Sequence, residues 1–361
     1  MENLVQRLMS SRADWLEHLE NDLHISVVRD GDLASLKYNQ LESPMADPMV
    51  QQCRGMVVDC AKRRVLAWPY NKFFNHGEHL ATPIDWATAR VQEKLDGSLM
   101  ILHVRDCIWS VASSGHPTAG GSFGSDARTF REAFWKVMSD QEIDTDELDA
   151  RATYMLELCD SPNRVVVRHE KPRLVLHGAR WLESGEEFLP SALHNAGNSA
   201  GLEVVNEFGI ASIDQCLSAA EALDPLKQEG FVVVDAEFNR VKIKSPRYVI
   251  LHHLKGEATP RRAIELWQTG ETEELLNSFP EFKPVIEPIQ ADLDLIAEQC
   301  VKDFEENMPR ASRKEFAMAV KDRPWSSVLF RMLGEERHDV ETAKAIMRRG
   351  SLQSLERMLG R

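Results

Sequence analysis

The chain has 361 residues, of which 43% are hydrophobic and 28% charged, and its formal net charge is −14. This composition is that of an ordinary globular protein, and the length is sufficient for two domains. The acidic balance argues against a protein that coats nucleic acid non-specifically. No apolar run approaches the roughly 20 residues of a membrane span, and no long apolar segment follows a basic start, so neither membrane association nor secretion is predicted. The six cysteines form no Cys-x-x-Cys pair, which indicates reduced thiols in a cytoplasmic protein.

Hydrophobic periodicity predicts an amphipathic helix over residues 2–20, followed by strands that alternate with turns and three further helices. An Asp-Gly turn at 30–31 joins the first two strands into a predicted hairpin. The predicted strands are 25–28, 33–38, 55–59, 65–68, 89–93, 99–104, 108–112, 154–158, 165–168, 174–179, 202–205, 230–234 and 240–244. The predicted helices among them are 126–138, 191–200 and 214–223.

The pattern of the chain changes near residue 255. Beyond this point strand signals disappear, and helix-like segments are separated by Pro, Gly and Asn. They are 260–269, 284–307, 312–322, 326–333 and 339–349. The sequence therefore predicts an α+β domain over residues 1–255, followed by an all-α domain over residues 256–361.

Lys94, Asp96 and Gly97 form a Lys-x-Asp-Gly frame between two predicted strands. The tight turn holds the lysine rigidly between these strands, as a chemically reactive lysine requires. In isolation such a lysine is more often an ordinary surface residue, because a frame this short arises readily by chance. A catalytic role for Lys94 is therefore predicted only if other residues of the chain can bind the substrate around it.

Five further motifs match the needs of nucleotidyl transfer. This reaction needs a neutral amine, cations for the triphosphate, carboxylates for the metal and the sugar, and an aromatic face for the base. A lysine has an ordinary pKa near 10.4, so burial or neighbouring cations such as Lys242 and Lys244 would be needed to neutralise it. The motifs are Arg54-Gly55, Lys72-Phe73-Phe74-Asn75, Glu157 on a strand, Glu229-Gly230 and Lys242-x-Lys244.

Structural roles remain open for each of these residues. Arg54 and Lys72 could form surface ion pairs, and Lys242 with Lys244 could belong to a solvated strand face. One of the two adjacent phenylalanines is expected in the core. Glu157 could be the partner of a buried arginine such as Arg164.

The order of these motifs resembles that of the covalent nucleotidyltransferases, the superfamily of ligases and mRNA capping enzymes. It is most similar to the ATP-dependent RNA ligases of the phage RNA ligase 1 branch, on the basis of Arg54-Gly55, Lys72-Phe73-Phe74-Asn75 and the segment 156–167. The resemblance covers roughly residues 50–250. It implies a nucleotidyltransferase domain built of ATP-grasp-like antiparallel sheets. The helical segments after residue 256 replace the small β-barrel of DNA ligases and capping enzymes, which also favours this branch.

The resemblance implies roles for the residues that bind the nucleotide. Arg54 and Lys72 would contact phosphates, Phe74 would stack on adenine, and Glu157 would bind the ribose hydroxyls. Gly97 would let the backbone approach the nucleotide. Lys242 and Lys244 would hold the triphosphate. The region Ser113-Ser114-Gly115-His116 departs from relatives that carry a further basic residue there.

The resemblance also implies the chemistry. Lys94 would be adenylylated, Asp96 would position the lysine and the water shell of the metal, and Glu229 would serve the metal. The expected function is ATP-dependent RNA ligation of 5′-phosphate and 3′-hydroxyl ends through lysyl-AMP and RNA-adenylate intermediates. ATP is the AMP donor, with Mg²⁺ or Mn²⁺ as the metal. A role in RNA repair is expected, with nicked tRNA as a candidate substrate, by a monomer that does not bind membranes.

Two alternatives follow from the same residues. One is an enzyme of the same superfamily with another substrate, either a DNA ligase or a GTP-using capping enzyme. The other is an inactive relative that binds nucleotide or RNA. The presence of Lys94, Glu229 and Lys242 together favours an active enzyme.

Overall fold

The computed structural model of the chain describes residues 2–124, 127–163, 165–256, 259–269, 272, 276, 282–308 and 312–360. Contacts between residues divide it into unit 1, Met1–Tyr248, and unit 2, Val249–Arg361. The predicted boundary near residue 255 lies a few residues further along the chain. The α+β class with a helical C-terminal region is confirmed.

Unit 1 contains fourteen described strands and a smaller number of helices. The strands are β1 Ile25–Asp30, β2 Leu33–Tyr38, β3 Arg54–Asp59, β4 Arg64–Ala67, β5 Phe74–Asn75, β6 Arg90–Lys94, β7 Ser98–Arg105, β8 Ile108–Ser113, β9 Ala152–Cys159, β10 Arg173–Trp181, β11 Glu203–Val204, β12 Glu207–Phe208, β13 Gly230–Val234 and β14 Arg240–Lys244. The α-helices are α1 Leu4–Ser11, α2 Trp15–Glu17, α3 Pro48–Gln52, α4 Phe130–Asp140, α5 Pro190–Ala200 and α6 Ile213–Glu221. A short π-helix covers His18–Asp22, and short 3₁₀ helices cover Thr145–Glu147 and Ser161–Asn163.

The strands form three sheets. Sheet 1 has the order β1-β2-β3-β4, sheet 2 has the order β11-β10-β9-β7-β8, and sheet 3 has the order β12-β6-β13-β14-β5. Pairing is antiparallel except for β10 with β11 and β14 with β5. Sheets 1 and 2 share apolar contacts through residues such as Val57, Leu66 and Ile101.

Helices cover the outer faces of the sheets because these faces also carry apolar residues that must be buried. Phe134 of α4 and Leu193 of α5 belong to the core of sheet 2. Cys216 and Ala220 of α6 pack into the core of sheet 3. The N-terminal helix α1 packs on sheet 1 through Val5 and neighbouring apolar residues.

In the described part of unit 2 the regular elements are helices. Helix α7, Pro246–Gly256, begins in unit 1 and crosses the point of division. It is followed by α8 Pro260–Thr269, α9 Lys283–Asn307, α10 Arg313–Val320, α11 Ser326–Met332, α12 Val340–Arg348 and α13 Leu352–Met358. Buried Asp303 of α9 accepts hydrogen bonds from Trp325 Nε1 at 2.8 Å and Gln299 Nε2 at 3.0 Å, which satisfies a charge within an apolar core. None of the described helices is long and apolar enough to span a bilayer.

Some predicted elements differ from the structure. The predicted strand at 165–168 is wrong, because this segment pairs with no strand in the described part of the chain and the N–H groups of Val166 and Val167 bind Asp96 instead. The predicted helix over 2–20 is interrupted after Ser11, where Arg12 adopts an extended conformation. Helix α4 begins at Phe130 rather than 126, after the Thr129 capping box; residues 125 and 126 lie outside the described part. Helices α3, α7 and α13 were not predicted.

Candidate active site

Lys94 lies where the chain passes from one sheet to another. It is the last residue of β6 in sheet 3, and β7 of sheet 2 begins only four residues later at Ser98. The lysine therefore stands at the junction of two sheets, beside a pocket of about 180 Å³ that we call the Lys94 pocket. Its lining residues are Arg54, Tyr70, Phe73, Gln92, Glu93, Lys94, Leu95, Leu99, Glu157, His177, Val232, Arg240, Lys242 and Lys244.

Glu229 binds two lysines at once. Its Oε2 lies 2.6 Å from Lys94 Nζ and its Oε1 lies 2.9 Å from Lys244 Nζ. Strand β13 runs between β6 and β14, and Gly230 is paired with Lys94 on one side and with Lys244 on the other. The residue before Gly230 is therefore held between both lysines. The Glu229 side chain is only 4% exposed, whereas that of Lys94 is 19% exposed, so the carboxylate is buried and the amine reaches the pocket.

Asp96 is buried beneath the turn that follows Lys94. Its Oδ2 accepts hydrogen bonds from the N–H groups of Val166 and Val167 at 2.7 and 2.6 Å, and its Oδ1 accepts one from the Tyr248 hydroxyl at 2.7 Å. These bonds explain why the segment 165–168 is not a strand. Both oxygens of Asp96 thus accept hydrogen bonds within the protein, and its predicted contact with a metal's water shell stays a prediction. Asp96 fastens the Lys94 turn to two distant segments.

Gly97 lies against β9, close to Glu157. Its N–H donates to Glu157 Oε1 at 3.2 Å. A Cβ atom at position 97 would lie 2.4 Å from the carbonyl oxygen of Leu158, closer than real Cβ atoms approach. The glycine is therefore required for the approach of the Lys94 turn to sheet 2. The predicted contact of Gly97 with the nucleotide stays a prediction.

Replacing Gly97 with alanine is expected to lower the free energy of unfolding by about 1–3 kcal/mol, because the turn must move away from β9. Gly115→Ala is a matched control, since a Cβ there would meet no atom within 4 Å. The measurement is thermal or urea unfolding of both variants. Equal stability of the two would contradict the proposed steric requirement.

Burial moves the pKa values of two groups in the pocket, Glu157 and Lys242, to about 7. Desolvation raises the pKa of Glu157 to about 7, although Lys94 opposes the shift. Desolvation, reinforced by Arg54 and other cations, lowers the pKa of Lys242 to about 7. Both residues can therefore change charge within the working pH range of most enzymes. Arg164, the alternative partner considered for Glu157, lies outside the described residues.

Phe73 rather than Phe74 lines the pocket. The Phe73 ring has Arg54 Cζ at 4.7 Å and Lys242 Nζ at 4.9 Å from its centroid. Phe74 is paired with Val241 in the parallel register of β5 with β14, and its side chain is buried. Adjacent residues of an extended segment point to opposite sides, so only one ring of the pair can face the pocket. The structure thus differs from the prediction that Phe74 stacks on the base.

Lys72 lies beside the pocket-lining residues instead of among them. Its Nζ lies over the rings of Tyr38 and Phe74, at 4.9 and 5.1 Å from their centroids, and 3.3 Å from Gln40 Oε1. The side chain is nearly buried. The charge of Lys72 still acts on the site, because it is one of the cations that lower the pKa of Lys242.

Several pocket residues were missed by the sequence analysis, among them Tyr70, His177 and Arg240. Arg240 could have been found, because it is two residues before Lys242 on β14 and alternate residues share a face. Its guanidinium is bound by Glu187 through Nη1–Oε1 at 3.0 Å and Nη2–Oε2 at 2.6 Å. His177 carried no sequence signal, because it reaches the pocket through an irregularity of β10.

The residues of the pocket fit a triphosphate and a divalent metal. Arg54 is half-buried, but its Nη1 atom is fully buried and has no hydrogen-bond partner among the residues that the structure describes. A buried unpaired guanidinium nitrogen beside Lys94 and Lys242 is suited to an anionic ligand. In the described ranges there is no group of three or more His, Cys, Asp or Glu side chains that would enclose a metal alone. Mg²⁺ in nucleotide enzymes usually binds one or two carboxylates and the substrate phosphates. Glu229, which pairs with Lys94 and Lys244 beside the pocket, would suffice for this mode once these ion pairs open.

Comparison with known proteins gives a family match over most of unit 1. A family model described as RNA ligase matches residues 52–248, more than half of the chain. A putative bifunctional polynucleotide kinase/RNA ligase of Autographa californica nuclear polyhedrosis virus is 27% identical over 86% of this chain and 46% of its own length. An RNA ligase of Rhodothermus phage RM378 is 24% identical over 88% of this chain and 89% of its own length. The chain thus spans about half the length of the first of these relatives.

Solved structures give a weaker match. An RNA ligase mutant from Naegleria gruberi with ATP and Mn is 15% identical, with a TM-score of 0.37 over 46% of this chain and 52% of that chain.

Proposed function

Because this chain belongs to the RNA ligase family whose model matches residues 52–248, we propose that it is an ATP-dependent ligase that joins RNA 5′-phosphate and 3′-hydroxyl ends. The resemblance to the RNA ligases inferred from the motifs is thereby confirmed. One observation carries the proposal within this chain. The Lys94 amine is held at a pocket of suitable size for part of a nucleotide, with several cations and two carboxylates around it.

In the first step Lys94 Nζ attacks the α-phosphorus of ATP. A phosphoramidate bond forms, the bond to the β-phosphate breaks, and pyrophosphate leaves. The amine must be unprotonated when it attacks, so its ion pair with Glu229 has to open. The step therefore depends on a change in the partners of the Glu229 carboxylate.

Cations of the pocket would hold the phosphates. Arg54 offers an unpaired Nη1, and Lys242 and Lys244 project from the same face of β14. Charges fixed before the reaction stabilise a developing phosphate charge without reorganisation during the step. Lys72 would add to the positive potential from beside the pocket.

Glu229 would hold the divalent metal together with the substrate phosphates. Magnesium or manganese in this position supplies charge neutralisation at the phosphates. Asp96 would act as a positioning residue, since its carboxylate already accepts three hydrogen bonds from the protein. We place it beneath the lysine turn and assign the metal contact to Glu229.

The adenosine part of ATP would be recognised by Phe73 and Glu157. Phe73 presents the aromatic face of the pocket and so takes the stacking role that the family motif gives to Phe74. Glu157 would accept hydrogen bonds from ribose hydroxyls. Gly97 supports both by letting the Lys94 turn approach β9.

The remaining steps use RNA. The AMP group passes from Lys94 to the 5′-phosphate of RNA, which gives an RNA-adenylate and regenerates the lysine. A 3′-hydroxyl then attacks the activated phosphate, a phosphodiester forms, and AMP leaves. We propose that the helical unit 2 contributes to the choice of RNA and that broken RNA, such as a nicked tRNA, is the substrate.

The function is tested by labelling and sealing. The purified full chain is incubated with α-labelled ATP and Mg²⁺, and we expect an acid-precipitable, denaturation-stable adduct. A 5′-phosphorylated single-stranded RNA should then be circularised, and a DNA strand of the same sequence serves as comparison. Labelling by GTP in place of ATP, or circularisation of DNA alone, would overturn the assignment in favour of a capping enzyme or a DNA ligase.

The stability of the protein should depend on pH through Glu157. Because burial raises the pKa of this carboxyl from 4.5 to about 7, the folded state binds more protons than the unfolded chain between these values. The contribution of Glu157 is therefore fully present below pH 4.5 and is lost as the pH rises through 7. We expect the loss to reach at most about 3 kcal/mol.

The measurement compares unfolding of the wild type and Glu157→Gln from pH 5 to 8. The amide cannot ionise, so the wild type should lose stability relative to the variant as the pH rises. Lys242 acts in the opposite direction above pH 7, because its pKa is lowered, but it is common to both proteins. Parallel profiles would show that Glu157 has an ordinary pKa.

A further inference from the structure

His177 is the extra residue of a β-bulge beside the Lys94 pocket. Strand β10 pairs with β9 in regular register up to Leu176 opposite Leu156, and pairing resumes with Gly178 opposite Met155. A bulge of this kind redirects a side chain, and such bulges often lie next to active sites. The His177 side chain consequently lines the pocket together with Glu157.

Tyr70 holds the bulge in place. Its hydroxyl donates to the carbonyl oxygen of His177 at 2.6 Å, and the two rings lie 5.5 Å apart at an interplanar angle of 31°. A Cβ atom on residue 178 would lie 1.7 Å from the Tyr70 hydroxyl oxygen, so Gly178 is required for this contact. Tyr70 thus fixes the position of His177 in two ways, through a hydrogen bond to its backbone carbonyl and through contact with one face of its imidazole ring.

The Tyr70 contact also determines the tautomer of His177. The hydroxyl proton of Tyr70 is used by the carbonyl, so its oxygen can only accept toward His177 Nδ1, which lies 3.4 Å away. Nδ1 therefore carries the hydrogen, and Nε2 is left as an acceptor. Burial, together with Arg54, Arg240 and Lys94, lowers the pKa of His177 to about 3, so the ring is neutral.

Two hydrogen-bond acceptors consequently lie side by side in the pocket. His177 Nε2 is buried and has no hydrogen-bond partner among the described residues, and it lies 3.6 Å from Glu157 Oε2. The other oxygen of Glu157 is already bound by the N–H of Gly97. When Glu157 is ionised, these two neighbouring acceptors lack donors and match a ligand with two neighbouring donors, and a vicinal diol is such a group.

We propose that His177 is a specificity-determining residue that accepts a hydrogen bond from one ribose hydroxyl of ATP, while Glu157 Oε2 accepts one from the other. The inference rests on the proposed function, because it takes ATP to be the ligand of the Lys94 pocket. Its consequence is a preference for ribose over deoxyribose nucleotides in the adenylylation step. The preference for an intact ribose thus depends on His177, a side chain that the β-bulge brings into the Lys94 pocket.

The test is the rate of adduct formation on Lys94 with ATP, 2′-deoxy-ATP and 3′-deoxy-ATP. The wild type should prefer ATP over at least one deoxy analogue. In His177→Phe, which keeps a ring but has no acceptor, we expect the rate with ATP to fall about fivefold, while the rate with that analogue stays unchanged. His177→Gln, with an acceptor oxygen, should keep more of the preference.

His103→Phe is the matched control, since His103 is another buried histidine of unit 1 that lies on β7 outside the pocket lining. It should leave the preference intact. A preference that survives His177→Phe, or its absence in the wild type, would overturn the inference. Circular dichroism and the melting temperature of each variant separate misfolding from loss of recognition.

Failure of the proposed function is distinguishable from failure of this inference. Affinities of ATP and the deoxy analogues are measured by calorimetry on Lys94→Ala, where no adduct can form on residue 94. If the wild type forms no adduct, the proposed ligase function fails, whereas the ribose preference is still read from these affinities. Equal affinities of Lys94→Ala for the three nucleotides would overturn the role of His177 whatever the labelling shows.

Discussion

Lys94→Ala is expected to abolish the covalent adduct with α-labelled ATP, and with it the sealing of RNA that carries an ordinary 5′-phosphate. The reason is chemical, because alanine offers no nucleophile. Lys242 and Lys244 do not replace it in the proposed arrangement, because we assign them to the phosphates. The expected decrease is to background, at least about 10⁴-fold by the scale of enzymes that lose a covalent nucleophile.

The same variant should still seal RNA that has been adenylylated in advance. The final step joins a 3′-hydroxyl to an activated phosphate and needs no enzyme nucleophile, so binding and charge stabilisation alone remain to be supplied. Lys136→Ala serves as the control, because Lys136 lies on α4 and forms an exposed ion pair with Asp140. An adduct that persists in Lys94→Ala, or disappears in Lys136→Ala, would contradict the assignment of the nucleophile.

Glu229→Gln is expected to reduce adduct formation by about 100-fold, the scale seen when one preorganised electrostatic group is removed. The amide keeps the shape of the side chain but cannot form the ion pairs with Lys94 and Lys244, 2.6 and 2.9 Å from its oxygens, that position both lysines. It is also a poor ligand for a hard divalent cation. The loss of the ion pairs and the weaker metal binding both act on the adenylylation of Lys94.

Magnesium dependence separates these two effects. If Glu229 holds the metal, half-saturation with Mg²⁺ should move to a concentration at least about tenfold higher in Glu229→Gln. Glu203→Gln is the control, since Glu203 is a glutamate of β11 that pairs with Arg173 at 3.3 Å and lies outside the pocket lining. An unchanged magnesium profile in Glu229→Gln would remove the metal role and leave only the pairing with the lysines.

Much of this protein could be predicted from local sequence patterns. The alternation of Val241 and Ile243 with Lys242 and Lys244 predicts a strand with both lysines on one face, and β14 has that form. The loss of strand signals near residue 255 predicts a helical C-terminal region, and unit 2 is helical where it is described. Such features depend on side chains a few residues apart, whose geometry follows from the period of the strand or helix.

The partners of Asp96 and the position of His177 required the tertiary structure. Asp96 binds Val166, Val167 and Tyr248, which are 70 to 152 residues away along the chain. His177 enters the pocket because β10 gains one residue relative to β9 and because Tyr70 and Gly178 fit together there. The residue types available for nucleotide chemistry, and their order along the chain, can be read from the amino-acid sequence alone. Which of these residues face one pocket depends on the folded chain, because the pairing of distant strands depends on the packing of the whole unit.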